Sequence, residues 1–85
     1  MNCLAIFDSG NYAFSICRSL EKKGYVFEVI TIPCQIAKTG CGYCLKFPIE
    51  LLNIVVNEGN ACRMPIRELY KIVSMYNKNK YEKLY

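Results

Sequence analysis

Residues 25–33 read Tyr25-Val26-Phe27-Glu28-Val29-Ile30-Thr31-Ile32-Pro33, and the other elements are arranged around them. Aromatic and β-branched side chains dominate this run, which predicts a strand over residues 25–32. Pro33 ends the strand, because proline cannot donate a hydrogen bond to a neighbouring strand. A predicted helix comes before this strand, and a loop with a second short strand comes after it.

The segment before residue 25 predicts a strand followed by a helix. Residues 2–7 are a short apolar run, which is typical of a buried strand. Asp8 or Ser9 can cap a helix, because a short side-chain oxygen accepts from the free amides of a first turn. Gly24 is typical of the residue just past a helix end. Between them the apolar residues recur at helical spacing: Tyr12, Ala13, Ile16, Cys17 and Leu20.

The segment after Pro33 predicts a loop over residues 33–42, a short strand over residues 43–47 and a second helix. Pro48 suits the first turn of that helix, and Gly59-Asn60 is expected to stop it. Its apolar stripe consists of Ile49, Leu52, Val55 and Val56. The spacing of apolar residues after Pro65 fits a helix, yet residues 66–73 could also form a closing strand.

The order of elements is therefore β-α-β-β-α, followed by a strand or a helix. Completed by a strand, it is the split βαβ arrangement of ferredoxin-like folds. We predict one α+β domain over residues 1–76, with an antiparallel or mixed sheet of about four strands. Both helices are expected on one face of the sheet. Residues 77–85 are expected to form a basic, tyrosine-containing C-terminal tail on the surface.

The composition excludes several classes of protein. The chain has 85 residues with six cysteines and no histidine, which rules out Cys-His hydrolases, Cys₂His₂ zinc fingers and histidine acid–base catalysis. We see no signal peptide and no run long enough for a membrane helix. A reduced, cytoplasmic protein is expected. The net charge of +4 is mild, so a nucleic-acid partner is not favoured, and the tail is expected to be a solvated terminus.

Reactive chemistry is expected at Cys41-Gly42-Tyr43-Cys44 and at Cys34, seven residues before Cys41. Cys41 is the candidate reactive thiol, because Gly42 and the loop position favour exposure. Cys44 is a candidate resolving thiol, and Cys34 is a candidate second thiol. Cys3 and Cys17 lie in apolar patterns and are expected to be core residues. Cys62 is expected to be incidental.

Four interpretations of these thiols compete. Cys41 could carry sulfur or selenium as a persulfide-type group, with Cys44 helping its discharge. Cys41 and Cys44 could be a dithiol–disulfide redox pair, although the motif precedes a strand instead of opening a helix as in thioredoxin-like proteins. Cys34, Cys41 and Cys44 could hold zinc or an iron–sulfur cluster, with a fourth ligand from elsewhere in the chain or from a second chain. Finally, the cysteines could be small packing residues.

The chain resembles a family of small bacterial proteins, the selenium/sulfur carrier protein-like family. The resemblance covers most of residues 2–60 and is carried by Phe7, Ala13, Leu20, Gly24, Phe27, Pro33, Ile36, Cys41, Gly42 and Phe47. It implies that Cys41 is the family's cysteine and that residues 66–73 close the sheet as a strand. Cys34, Cys44 and the tail depart from the family pattern, and the extra thiols favour disulfide formation or metal binding in this member.

The resemblance implies a carrier or binding protein more than a turnover enzyme. Such a carrier requires no cofactor; its partners would be sulfur or selenium donor and acceptor proteins. Homodimerisation through an exposed sheet edge is a further expectation.

Overall fold

The computed structural model describes residues 1–37 and 42–84, and these form five strands and two helices. The strands are β1 (Asn2–Ile6), β2 (Glu28–Thr31), β3 (Tyr43–Pro48), β4 (Glu68–Met75) and β5 (Lys78–Lys83). The helices are α1 (Gly10–Glu21) and α2 (Leu52–Ala61), and a 3₁₀ turn at Ile49–Leu51 leads into α2. In the described part of the chain no helix is long and apolar enough to cross a membrane.

The strands form one antiparallel sheet in the order β2-β3-β1-β4-β5. Since β3 lies between β1 and β2 and is antiparallel to both, β1 and β2 are parallel to each other and are linked through α1. The predicted α+β class is confirmed. The closing strand expected over residues 66–73 is confirmed as β4, and the helix alternative for that segment is wrong.

The fifth strand comes from the segment that the sequence predicts as a surface tail, so the expected count of about four strands is too low. β5 pairs with β4 along its whole length, from Met75↔Lys78 to Tyr70↔Lys83. Tyr76 and Asn77 join the two strands with φ angles of 51° and 64°. Positive φ at both central residues is the geometry of a type I′ turn, which matches the twist of a hairpin. The chain lacks the usual Asn-Gly signal for that turn.

Helix α1 begins and ends where the sequence predicts. The Ser9 hydroxyl accepts from the backbone N–H of Asn11 at 3.2 Å and caps the first turn. Gly24 adopts a φ of 94°. The N–H of Tyr25 then donates to the carbonyl of Leu20 at 3.0 Å, which satisfies an end-of-helix acceptor.

Helix α2 runs past the glycine that was expected to stop it. Gly59 is the eighth residue of Leu52–Ala61, and a Cβ placed on it would lie 2.8 Å from the carbonyl oxygen of Met64. The glycine therefore allows the returning chain to approach the helix closely. Arg63, with a φ of 60°, takes the left-handed position that ends α2.

The two faces of the sheet are buried in different ways. On one face, Ala5, Leu45, Phe47 and Leu69 pack against both helices, including Ile16 of α1 and Val55 of α2. The opposite face carries no helix in the described residues, and we call it the open face. Its buried residues are Leu4, Ile6, Cys44 and Tyr70, which contact the partly buried Ile30, Ile32, Ile36, Ile72 and Tyr81.

Candidate functional site: the thiol loop between β2 and β3

The loop between β2 and β3 begins with a turn that is anchored on the open face. We call residues 32–42 the thiol loop. The N–H groups of Ile36 and Ala37 both donate to the carbonyl of Pro33 at 3.0 Å, which closes a tight turn. The Ile36 side chain packs on the buried cluster of the open face. The first half of the loop is thus held against the sheet by local hydrogen bonds and by one apolar side chain.

Cys34 lies in this turn, and it is exposed and free. The two residues after it, Gln35 and Ile36, face a groove that also borders β5. Its predicted role as a second thiol stays a prediction, and its exposure gives it access to solvent.

The loop ends at Gly42, which lies immediately before β3. The carbonyl of Gly42 accepts from the N–H of Ile32 at 2.9 Å. This bond extends the β2–β3 pairing by one step. A Cβ on Gly42 would lie 3.0 Å from Cδ1 of Ile32, so a larger residue there would push that side chain aside. The glycine after Cys41 therefore allows a close approach between the two ends of the loop.

Cys41 lies outside the described residues, as do Lys38 and Gly40. Its role as the carrying thiol stays a prediction. Its covalent neighbour Gly42 belongs to the described part and marks where the candidate thiol joins the sheet.

Cys44 lies on the open face and is fully buried, in contact with the apolar cluster of Leu4, Ile6 and Tyr70. Burial raises the pKa of its thiol to about 11, because the apolar surroundings disfavour the thiolate. Strand alternation explains the position, since β3 places Tyr43 and Leu45 on the other face. The resolving role and the metal-ligand role predicted for Cys44 stay predictions, and burial opposes both.

Of the remaining cysteines, Cys3 and Cys17 belong to the core and Cys62 lies on the surface. Cys3 is buried in the helix-covered core, and the half-buried Cys17 donates from its thiol to the carbonyl of Phe27 at 3.4 Å. Burial raises the pKa of both thiols. Cys62 is exposed at the end of α2. Within residues 1–37 and 42–84, no three Cys, Asp or Glu side chains are grouped to hold a metal ion.

Two features near these thiols have no clear signal in the sequence. The first lies beside Gly42, where the start of α1 meets the start of β3. A Cβ on Gly10 would lie 3.3 Å from Cδ2 and 3.5 Å from the backbone N of Tyr43. The Tyr43 ring is also in edge contact with Phe14, their centroids 5.1 Å apart. The amino-terminal end of α1 and an exposed aromatic pair therefore flank the end of the thiol loop.

The second feature is a carboxylate buried between the helices. Glu58 of α2 accepts hydrogen bonds from the Ser19 hydroxyl of α1 and, at 2.6 Å, from the Lys23 ammonium. The Cys62 thiol donates to the same carboxylate at 3.9 Å. The hydrogen bond from Lys23, followed by that from Ser19, lowers the pKa of Glu58. Ser19, Lys23 and Cys62 therefore all donate to one carboxylate. The bond from Ser19 links α1 to α2, and the bond from Cys62 gives this exposed thiol a partner at the end of α2.

Comparison with known proteins identifies a family. A search of curated proteins and a search of solved structures found no match. The family model described as "Putative Se/S carrier protein-like" matches residues 2–71, which include the whole thiol loop, β1 to β3 and the first half of β4. Because this match covers most of the chain, the protein belongs to the Se/S carrier protein-like family.

Proposed function

We propose that this protein is a cytosolic carrier of sulfur or selenium. Cys41 holds the transferred atom as a persulfide-type group and passes it from a donor protein to an acceptor protein. Family membership supports the carrier class, and Cys41 lies within the matched residues. No cofactor is required in this proposal, because the cargo is bound covalently by a cysteine.

The burial of Cys44 is the observation that carries this choice. In a dithiol–disulfide oxidoreductase the second thiol, here Cys44, must become a thiolate and reach the sulfur of the first, here Cys41. Cys44 is fully buried and its pKa is raised to about 11, so it is protonated and shielded at neutral pH. A metal site through Cys44 meets the same difficulty, because metals bind the thiolate. A carrier needs only one accessible thiol.

The surroundings of Gly42 support an anionic sulfur at the end of the thiol loop. The amino-terminal end of a helix carries partial positive charge. That end of α1 packs against Tyr43, and its first turn contains no acidic residue. An anionic sulfur held close to Gly42 is favoured by the dipole of α1 over its protonated form.

The proposed transfer is an exchange reaction without net oxidation. The Cys41 thiolate attacks the outer sulfur of a donor persulfide, forming a new S–S bond on Cys41. The S–S bond of the donor breaks, and the electron pair leaves on the donor's inner sulfur, which takes up a proton. A second exchange of the same kind passes the outer atom to the acceptor. Selenium would follow the same steps from a donor selenosulfide.

The topology suggests a finer classification of the fold. We interpret the order β2-β3-β1-β4, with both helices on one face, as a ferredoxin-like arrangement to which β5 adds an edge strand.

Sulfur loading of variants in which one cysteine is replaced tests the proposal against the redox alternative. The protein is incubated with a cysteine desulfurase and cysteine, and its intact mass is measured. We expect Cys44→Ala and Cys34→Ser to gain a sulfur atom as the unsubstituted protein does, and Cys41→Ser to gain none. Equal loading of Cys41→Ser would contradict the assignment. A reversible Cys41–Cys44 disulfide in a redox-buffer titration would favour the dithiol alternative instead.

A further inference from the structure

The edge strand β5 offers an uncovered pairing surface beside the thiol loop. It is the last strand of the sheet, and among the described residues only β4 pairs with it. Residues 78–83 are exposed apart from Tyr81. An exposed edge presents unpaired backbone N–H and C=O groups to which another extended chain can bond. The family match ends at Lys71, so β5 is an addition to the matched region.

A groove connects this edge to the turn that contains Cys34. Its volume is about 260 Å³, and it lies between Gln35 and Ile36 of the thiol loop and residues 79–81 of β5. On the open face, Ile36 and Tyr81 both pack on the same apolar cluster. A chain that added to β5 would therefore run along one wall of a groove whose other wall is formed by Gln35 and Ile36.

The charges of β5 indicate which kind of chain fits. Lys83 lies 3.4 Å from Glu68 and Lys71 lies 3.3 Å from Glu82, so these lysines have carboxylate partners. Lys78 and Lys80 have no carboxylate partner among the described residues. Both are paired with β4 residues of one face, Met75 and Val73. Two uncompensated cations thus stand two residues apart on the same side of the edge strand.

We propose that β5 binds an extended, acidic segment of a partner protein by strand addition. The segment alternates acidic and apolar residues, because side chains of a strand alternate between faces. Its acidic residues lie opposite Lys78 and Lys80, and its apolar residues lie on the open face against Tyr81 and the groove. The docking itself needs no assumption about cargo. That the partner is a donor or acceptor of the transferred atom rests on the proposed function.

The charges of the edge strands disfavour two alternatives, a second copy of the chain on β5 and docking on β2. Pairing of β5 with a second copy would bring together two strands that each carry three lysines and one glutamate, and each Glu82 already contacts Lys71. Like charges on adjacent strands oppose pairing. The opposite sheet edge, β2, is a weaker docking strand, because it has four residues and begins with an acidic one, Glu28.

Titration with a designed peptide tests the docking. The probe alternates glutamate and isoleucine, and the control peptide has the same composition with the two residue types in separate blocks. We follow backbone amide signals of the ¹⁵N-labelled full chain. The alternating peptide should shift signals of residues 78–83 and 34–37, and the block peptide should not.

Charge reversal at the edge supplies the second test. Lys78→Glu combined with Lys80→Glu should weaken binding of the alternating peptide by about tenfold or more, because two favourable cross-strand pairs become repulsive. The matched control, Arg18→Glu with Lys22→Glu, reverses an exposed cation of α1 and the exposed cation that follows its last residue, and changes net charge equally. It should bind the peptide almost normally. Equal weakening in both variants, or signal changes confined to β2, would overturn the proposal.

Two further readouts separate the possible failures. Sedimentation of the chain without peptide should give a monomer, and a dimer lost in the Lys78/Lys80 double variant would show that a second copy occupies the edge. Sulfur loading of Cys41 is measured on the same samples. A chain that loads but does not bind the peptide refutes the docking site alone, whereas one that binds but never loads refutes the carrier function alone.

Discussion

Cys44 should be almost inert to alkylation in the folded protein, and the size of the effect follows from its environment. The reactive species is the thiolate. At pH 7.5 an ordinary thiol with a pKa of about 8.5 is about 9% ionised. With a pKa of about 11, the Cys44 thiol is about 0.03% ionised, which lowers its reactivity about 300-fold. Full burial adds a barrier, because the reagent must also reach the sulfur.

The assay is timed alkylation with iodoacetamide, followed by proteolysis and mass spectrometry. Cys34 and Cys62, both exposed, serve as internal standards in the same molecule. We expect them to be modified fully while Cys44 remains at least about 300-fold slower. Denaturant should remove the difference, which shows that folding causes the protection. Modification of Cys44 within tenfold of the Cys34 rate in the folded chain would refute the burial argument and restore Cys44 as a candidate resolving thiol.

Three further predictions concern helix α2 and the β4–β5 hairpin. Gly59→Ala should lower the free energy of unfolding by about 1–3 kcal/mol, because the new Cβ would lie 2.8 Å from the Met64 carbonyl oxygen; chemical denaturation measures this, and unchanged stability would contradict the close approach. Asn77→Gly should stabilise the β4–β5 hairpin by about 0.5–1 kcal/mol, since φ at this position is 64°; a lower thermal midpoint would contradict the turn. Glu58→Gln should destabilise the fold by about 1–3 kcal/mol at neutral pH, because the hydrogen bond from Lys23 lowers the pKa of Glu58. The stability difference between Glu58→Gln and the unsubstituted protein should shrink as the pH falls below about 4.5 and through the pKa of Glu58 in the folded state. A stability difference that does not change with pH would contradict the role of the Glu58 charge.

The sign of the Glu58 effect follows from the direction of its shift. A carboxyl whose folded pKa lies below its unfolded pKa binds fewer protons in the native state. Its contribution is therefore complete above the unfolded pKa and is lost as the pH falls through the folded one. Below both values the variant and the unsubstituted protein should have nearly equal stability at this site.

The sequence predicted most of the architecture because its local signals agreed with one another. Ser9 and Gly24 mark the two ends of α1, because helix capping depends on interactions within a few residues of each end. The alternating and apolar runs of β1 to β3 were strong enough to define strands. The prediction of strand β4 relied on the family resemblance, because the spacing of its apolar residues favours a helix whereas its composition favours a strand. That conflict could be resolved only by the pairing of β4 with β1, which is a long-range contact.

The features that the sequence did not predict depend on the tertiary structure and not on local sequence signals. The hairpin to β5 uses Tyr76-Asn77, which adopts a turn that glycine usually supplies. Gly59 was expected to stop α2, yet it lies inside the helix because Met64 packs against it. Cys44 is buried on the open face in a cluster against which Ile36 of the thiol loop packs, and no spacing rule predicts this long-range packing. The role of Cys41 itself comes from the motif and the family, and it stays a prediction.

The most direct test of the central claim is to locate the transferred atom on the unsubstituted protein. The chain is loaded by a cysteine desulfurase with its substrate, free thiols and persulfides are trapped by alkylation, and peptides are mapped by mass spectrometry. The account predicts one added sulfur atom on the peptide containing Cys41, with the adduct on that residue, and its loss when a thiol acceptor is added. An adduct located on Cys34 or Cys62 instead, or a loaded sulfur that no acceptor removes, would contradict Cys41 as the carrier.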